Sequence, residues 1–105
     1  MPKKYKEKKN EKFESELSQQ ELNAVRKVED YVDDQIDLQW ENGVVDVDNE
    51  IVKFYINPQN CNPTTFSEEK KNIMTALLFS KFRDDDWRIR QDTPTGTCKF
   101  FPTKV

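Results

Sequence analysis

The chain has no histidine, only two cysteines and two glycines, and no uninterrupted apolar run near the roughly eighteen residues that crossing a bilayer requires. Each absence excludes something. Without histidine the commonest general base near pH 7 is missing, and Ser-His-Asp and Cys-His arrangements go with it. Cys61 and Cys98 are too few for a disulfide framework and match no zinc spacing. They are read as two reduced thiols, with a single bridge between the loop holding Cys61 and the last strand as the alternative. The lysine-rich start is followed by no signal-type apolar segment. The expectation is a soluble, cytoplasmic, non-exported protein that is not an enzyme and uses no cofactor, no metal and no membrane.

What is present is dominated by charge. Charged residues make up 35% of the chain and hydrophobic ones 34%, while 11% aromatic content and clear periodicity argue for a folded body. A chain of 105 residues forms one small domain, burying about two thirds of the surface its unfolded form exposes. Residues 1–12, MPKKYKEKKNEK, carry a net +4, which leaves −7 on the rest of a chain whose total is −3. Residues 1–14 therefore read as a flexible basic arm and 15–105 as a single α+β domain. Lys3, Lys4, Lys6, Lys8 and Lys9 are the arm's candidate nucleic-acid contacts, a solubilising tail being the plainer reading.

Ser18-Gln19-Gln20-Glu21 has the form of a capping box, with Leu17 and Leu22 as its hydrophobic staple. Leu22, Val25, Val28, Val32, Ile36 and Trp40 then recur at steps of three and four, and predict an amphipathic helix ended by Asn42-Gly43. Its opposite face carries Glu29, Asp30, Asp33, Asp34 and Asp37. Acidic residues oppose the helix dipole at this end, so the turn over 37–41 is expected to fray or to be held by Trp40 packing. The period next becomes two: Val52, Phe54 and Ile56 alternate with Ile51, Lys53 and Tyr55, which predicts a strand over 50–56 ended by Pro58.

An asparagine- and proline-rich connection over 57–65 leads to a second helix, capped by Thr65 or by Ser67. Its stripe of Ile73, Met74, Leu77, Leu78 and Phe82 is widened by Ala76 and Phe79, and Asp84-Asp85-Asp86 stops it. Trp87 and Ile89 facing in, with Arg88 and Arg90 facing out, predict a strand. Thr93-Pro94-Thr95-Gly96 predicts a type I turn into a partner strand over 97–101. The fold expected is α+β, two helices packed on one face of a small three-stranded antiparallel-type sheet in the order α-β-α-β-β, with the hairpin pairing against 50–56. Such a sheet leaves an exposed edge where an extended segment can add.

Several acidic clusters invite a metal reading. Asp46-Val47-Asp48-Asn49-Glu50 starts like a calcium loop but lacks the glycine and the final glutamate that complete one, and is read as a polar turn before a strand. Asp48 to Lys53 approaches a metal-dependent nuclease pattern, yet Glu50 and Lys53 are spaced to point to opposite faces of a strand. Asp84-Asp85-Asp86 and Asp33-Asp34 read as a helix terminus and a solvated face. Arg88, Arg90 and Lys99 form a basic strip on the outer sheet face, joined by Lys53, Tyr55 and Phe101, suited to single-stranded nucleic acid or an acidic peptide; solvated cross-strand pairs are the plain alternative. Asp30, Asp33, Asp34 and Asp37 suit a basic partner protein, or simply keep the domain soluble.

The succession of helix, strand, capped helix, FRDDDW-RIR and hairpin over residues 18–101 resembles small accessory proteins of tailed bacteriophages, in which a helix ends just before a tryptophan or tyrosine and two short strands follow. Phe82, Trp87, Arg88, Ile89 and Arg90 carry the resemblance; where such proteins usually have glycine before the aromatic, this chain has Asp86. The resemblance implies a viral origin, hence the host cytoplasm, and a non-catalytic role. The function expected is that of a small non-enzymatic binding protein acting on a host or virion protein through its acidic helix face or sheet surface. The alternative is a nucleic-acid-binding module built from the lysine arm and the Arg88, Arg90, Lys99 strip.

Overall fold

Both halves of the capping box close. In the computed structural model, which describes residues 5–92 and 95–103, Ser18 Oγ accepts the Glu21 N–H at 3.3 Å and the Glu21 carboxylate accepts the Ser18 N–H at 2.7 Å. Helix α2 (Gln19–Gln39) therefore starts where its sequence dictates. Helix α4 (Glu68–Asp84) is capped by Ser67 rather than Thr65, the Ser67 hydroxyl accepting the Lys70 N–H at 3.2 Å. The aspartate run ends it: Asp85 closes the last turn and Asp86 takes φ +69°, a left-handed conformation that glycine adopts more readily than other residues.

Strands β2 (Trp87–Asp92) and β3 (Thr97–Pro102) form the expected hairpin, and β1 (Val45–Asp48) pairs antiparallel with the free side of β3, giving the order β1-β3-β2. Val45 and Ile89 lie opposite Phe100 from either side, and Val47 lies opposite Cys98, so these residues share the face turned to α2 and α4. Phe100 is fully buried there, with the rings of Phe79 and Phe82 edge-on at 6.4 and 5.2 Å. The architecture is α+β, with helices packed together against a three-stranded antiparallel sheet. Among the described residues no helix is long and apolar enough to cross a membrane.

Two expectations are corrected. The third strand is not 50–56. It is β1, and Asn49–Val52 is a single helical turn, α3, whose entry is capped by the Asp48 carboxylate on the Glu50 N–H at 2.8 Å. Ile51, Val52 and Phe54 are buried all the same. Their alternation is met by one turn of helix followed by Phe54 at φ +67°, so Pro58 ends no strand. Asp46 and Asp48 thus belong to a strand rather than to a turn preceding one.

Residues 5–15 are not an arm either. They form helix α1 (Tyr5–Ser15), which packs against α4. The sequence carries no apolar stripe. What holds the helix is Asn10, which donates to Asp84 Oδ2 at 3.1 Å and accepts from the buried Ser80 hydroxyl at 2.6 Å, together with Phe13 packed on the core. Tertiary contact, and not propensity, decides here. Lys3 and Lys4 lie outside the described residues, as does part of the turn over 93–96.

Candidate protein-binding surfaces

The acidic residues of α2 recur three and four apart and so gather along one flank of the helix. Asp30, Asp33, Asp34 and Asp37 are exposed, while Glu29, nearest the core, pairs with Lys81 of α4 at 3.1 Å. Although the residue is exposed as a whole, partial desolvation of its carboxyl, and then the carboxylates of Glu29, Asp30, Asp37 and Asp34, push the Asp33 pKa above its ordinary value of 3.8. Asp33 also shares a small crevice with Glu29, Lys81, Phe82 and Asp85. The acidic flank thereby continues from α2 onto the end of α4, two clusters that the sequence leaves apart.

At the far end of α2 the chain tightens into a 3₁₀ turn (Trp40–Asn42), and Gly43 reverses it at φ +74° so that Val45 can reach Phe100. Of the two outcomes expected at this end, fraying or Trp40 packing, neither describes it, and Trp40 does not pack. Trp40 is 66% exposed, because the chain tightens and turns away into β1 there, and Leu38 is 77% exposed, because it lies off the apolar stripe of α2. The end is held by Gln39, whose carboxamide bonds both backbone groups of Asp46 and also donates to Gln35 Oε1 at 2.8 Å. Leu38 and Trp40 are therefore surface features not anticipated from the sequence, whereas Asp85 caps the end of α4 as the aspartate run implied. The available signals were that Leu38 falls off the apolar stripe and that Trp40 sits on its last step before Asn42-Gly43.

On the opposite side of the molecule, the outer sheet face carries Arg88, Arg90, Lys99 and Phe101 together, since Arg90 lies opposite Lys99 and Arg88 opposite Phe101. Lys99, however, is paired with Asp46 at 2.6 Å, and the register places Asp48 and Asp92 on this face as well. Three cations share the surface with three carboxylates, a poor track for a polyanion. Arg88 and Arg90 themselves are exposed and make no ion pair among the described residues. Lys53 and Tyr55 do not join the strip. Lys53 follows α3, and Tyr55 donates its hydroxyl to Glu68 at 3.1 Å under the Lys71 ammonium, 4.2 Å from its ring.

Of the lysines assigned to the arm, Lys6 and Lys8 fall within α1 and Lys9 is half-buried in it. Both thiols are free, Cys61 exposed and Cys98 buried. Among the described residues no three His, Cys, Asp or Glu side chains are grouped to hold a metal. A cleft of about 450 Å³ between the start of α2 and the 54–66 segment has an apolar lining that includes Val28, Phe54, Ile56 and Phe66, edged by amides, hydroxyls and Lys27, with no carboxylate in its wall. Comparison with protein-family models, curated proteins and solved structures returns no match.

Proposed function

We propose that this chain is a small non-enzymatic binding protein that docks the acidic flank of α2, with Leu38 and Trp40 at its end, onto a cationic protein surface. The observation that carries the reading is the juxtaposition of two large, mostly exposed apolar side chains with Asp34 and Asp37, which have no partner among the described residues. An aromatic anchor supplies contact energy when it is desolvated, and a surrounding field of one sign steers and selects the partner. An accessory role of this kind accords with the bacteriophage resemblance. The nucleic-acid alternative is supported less, because Lys9 is tied into a helix, Lys99 of the sheet strip is paired with Asp46, and Asp48 and Asp92 share that face.

The test is capture from a bacterial lysate with and without nuclease, followed by titration of the purified captured protein. Trp40→Ala should weaken binding by roughly thirtyfold or more, as hot-spot truncations do. Asp33→Asn with Asp37→Asn should slow association and flatten its salt dependence. Capture that vanishes with nuclease, or an affinity indifferent to these substitutions, contradicts the proposal.

A further inference from the structure

The two edges of the sheet are treated differently. At β1 the Gln39 carboxamide occupies the outer N–H and C=O of Asp46, in the manner of a neighbouring strand. At β2 nothing comparable happens. Beyond its ladder to β3, the only hydrogen bond to its backbone among the described residues is from the Thr95 hydroxyl to the Asp92 carbonyl, at the strand's last residue. The strand runs six residues in unbroken register, with no bulge and no internal proline. Half of its N–H and C=O groups therefore point outward without a partner.

We infer that the outer edge of β2 accepts an extended acidic segment of another protein as a fourth strand. Charge selects the occupant. On the outer face a new strand would set its side chains beside Arg88 and Arg90, both exposed and unpaired among the described residues, with Asp92 on that face only at the strand's last residue. On the other face Gln91 forms one wall of a groove of about 380 Å³ floored by Ala76 and Phe79 and rimmed by Lys53 and Lys71. A segment in which aspartate or glutamate alternates with small apolar residues meets both surfaces at once, because successive side chains of a strand point to opposite faces. A second copy of this chain fits badly, since antiparallel β2 strands would bring four guanidinium groups onto one face.

This surface lies on the sheet and the acidic flank lies on α2, so each can fail without the other. The probe is a synthetic eight-residue peptide alternating glutamate and valine, titrated into the full-length protein while amide exchange is followed by NMR. Saturable binding is expected, with new protection confined to alternate β2 amides. Arg88→Glu with Arg90→Glu should weaken binding by about ten- to a hundredfold, the worth of one or two charge-assisted contacts, while leaving the melting temperature unchanged. A peptide methylated on alternate backbone nitrogens should not bind. Absence of binding, equal binding of a lysine-valine peptide, protection outside β2, or a wild-type dimer that masks the β2 amides would each overturn the inference.

Discussion

Gln39 and Asp46 are joined twice, the Gln39 carboxamide accepting the Asp46 N–H at 2.9 Å and donating to the Asp46 carbonyl at 3.0 Å. One side chain thus ties the last turn of α2 to the first strand and closes an edge that would otherwise invite pairing. Gln39→Ala should cost about 1–2 kcal/mol, the value of a lost pair of partly exposed hydrogen bonds, read as a lower urea midpoint with an unchanged slope. Exchange at the Asp46 amide should accelerate in the same variant, and an unaltered midpoint would contradict the role given to Gln39.

Asn10 distinguishes a packed helix from a tail. Asn10→Ala leaves the buried Ser80 hydroxyl and Asp84 without their α1 partner, and should destabilise the protein by roughly 1–3 kcal/mol. A solvated arm would tolerate the change within experimental error. Chemical denaturation of the two proteins side by side separates these outcomes.

Asp33 bears like-charge repulsion at neutral pH. Its pKa is raised by partial desolvation and neighbouring carboxylates, so the favourable state is the protonated one, fully present below 3.8 and lost as pH rises through the higher folded value. Asp33→Asn should accordingly stabilise the protein at pH 7 by about 0.2–0.5 kcal/mol, the scale of like-charge helix pairs. The gain should shrink on acidification towards pH 3.8. A loss of stability at pH 7 would contradict the repulsion.

The two cysteines should separate by reactivity. Burial pushes the Cys98 thiol from its ordinary 9.0 up to about 12, whereas Cys61 is exposed. A thiol reagent at pH 8 should therefore modify one group rapidly in the native protein and the second only on unfolding. Because the raised pKa is that of the folded state, the stability Cys98 contributes is present below pH 9 and declines as pH climbs towards 12. Cys98→Ser should flatten that alkaline decline.

How legible each part was depends on how locally it is determined. The capping box at Ser18 and Glu21, the end of α4 at its aspartate run and the 87–101 hairpin obey rules that span a few residues, and all three stand in the structure. The 50–56 segment misleads because burying Val52, Phe54 and Ile56 needs only spacing, which a helical turn and one left-handed residue provide as well as a pleat; the cap donated by Asp48 tips the balance. Helix α1 is invisible because its reasons lie about seventy residues away, at Ser80 and Asp84. The aspartates of α2 and the strip of Arg88, Arg90 and Lys99 were readable as faces, since helix and strand periods place them. That Asp46 would neutralise Lys99, and that Trp40 would stand in solvent, depended on which strand reached β3.

The central claim is that Trp40 is the anchor of a protein interface. It is tested most directly by recording Trp40 fluorescence in a Trp87→Phe background, which leaves a single emitter, while the captured partner is added to saturation. The account predicts a blue shift and loss of quenching by acrylamide as the indole leaves water. Emission that stays solvent-like at saturation would place the interface elsewhere and contradict it.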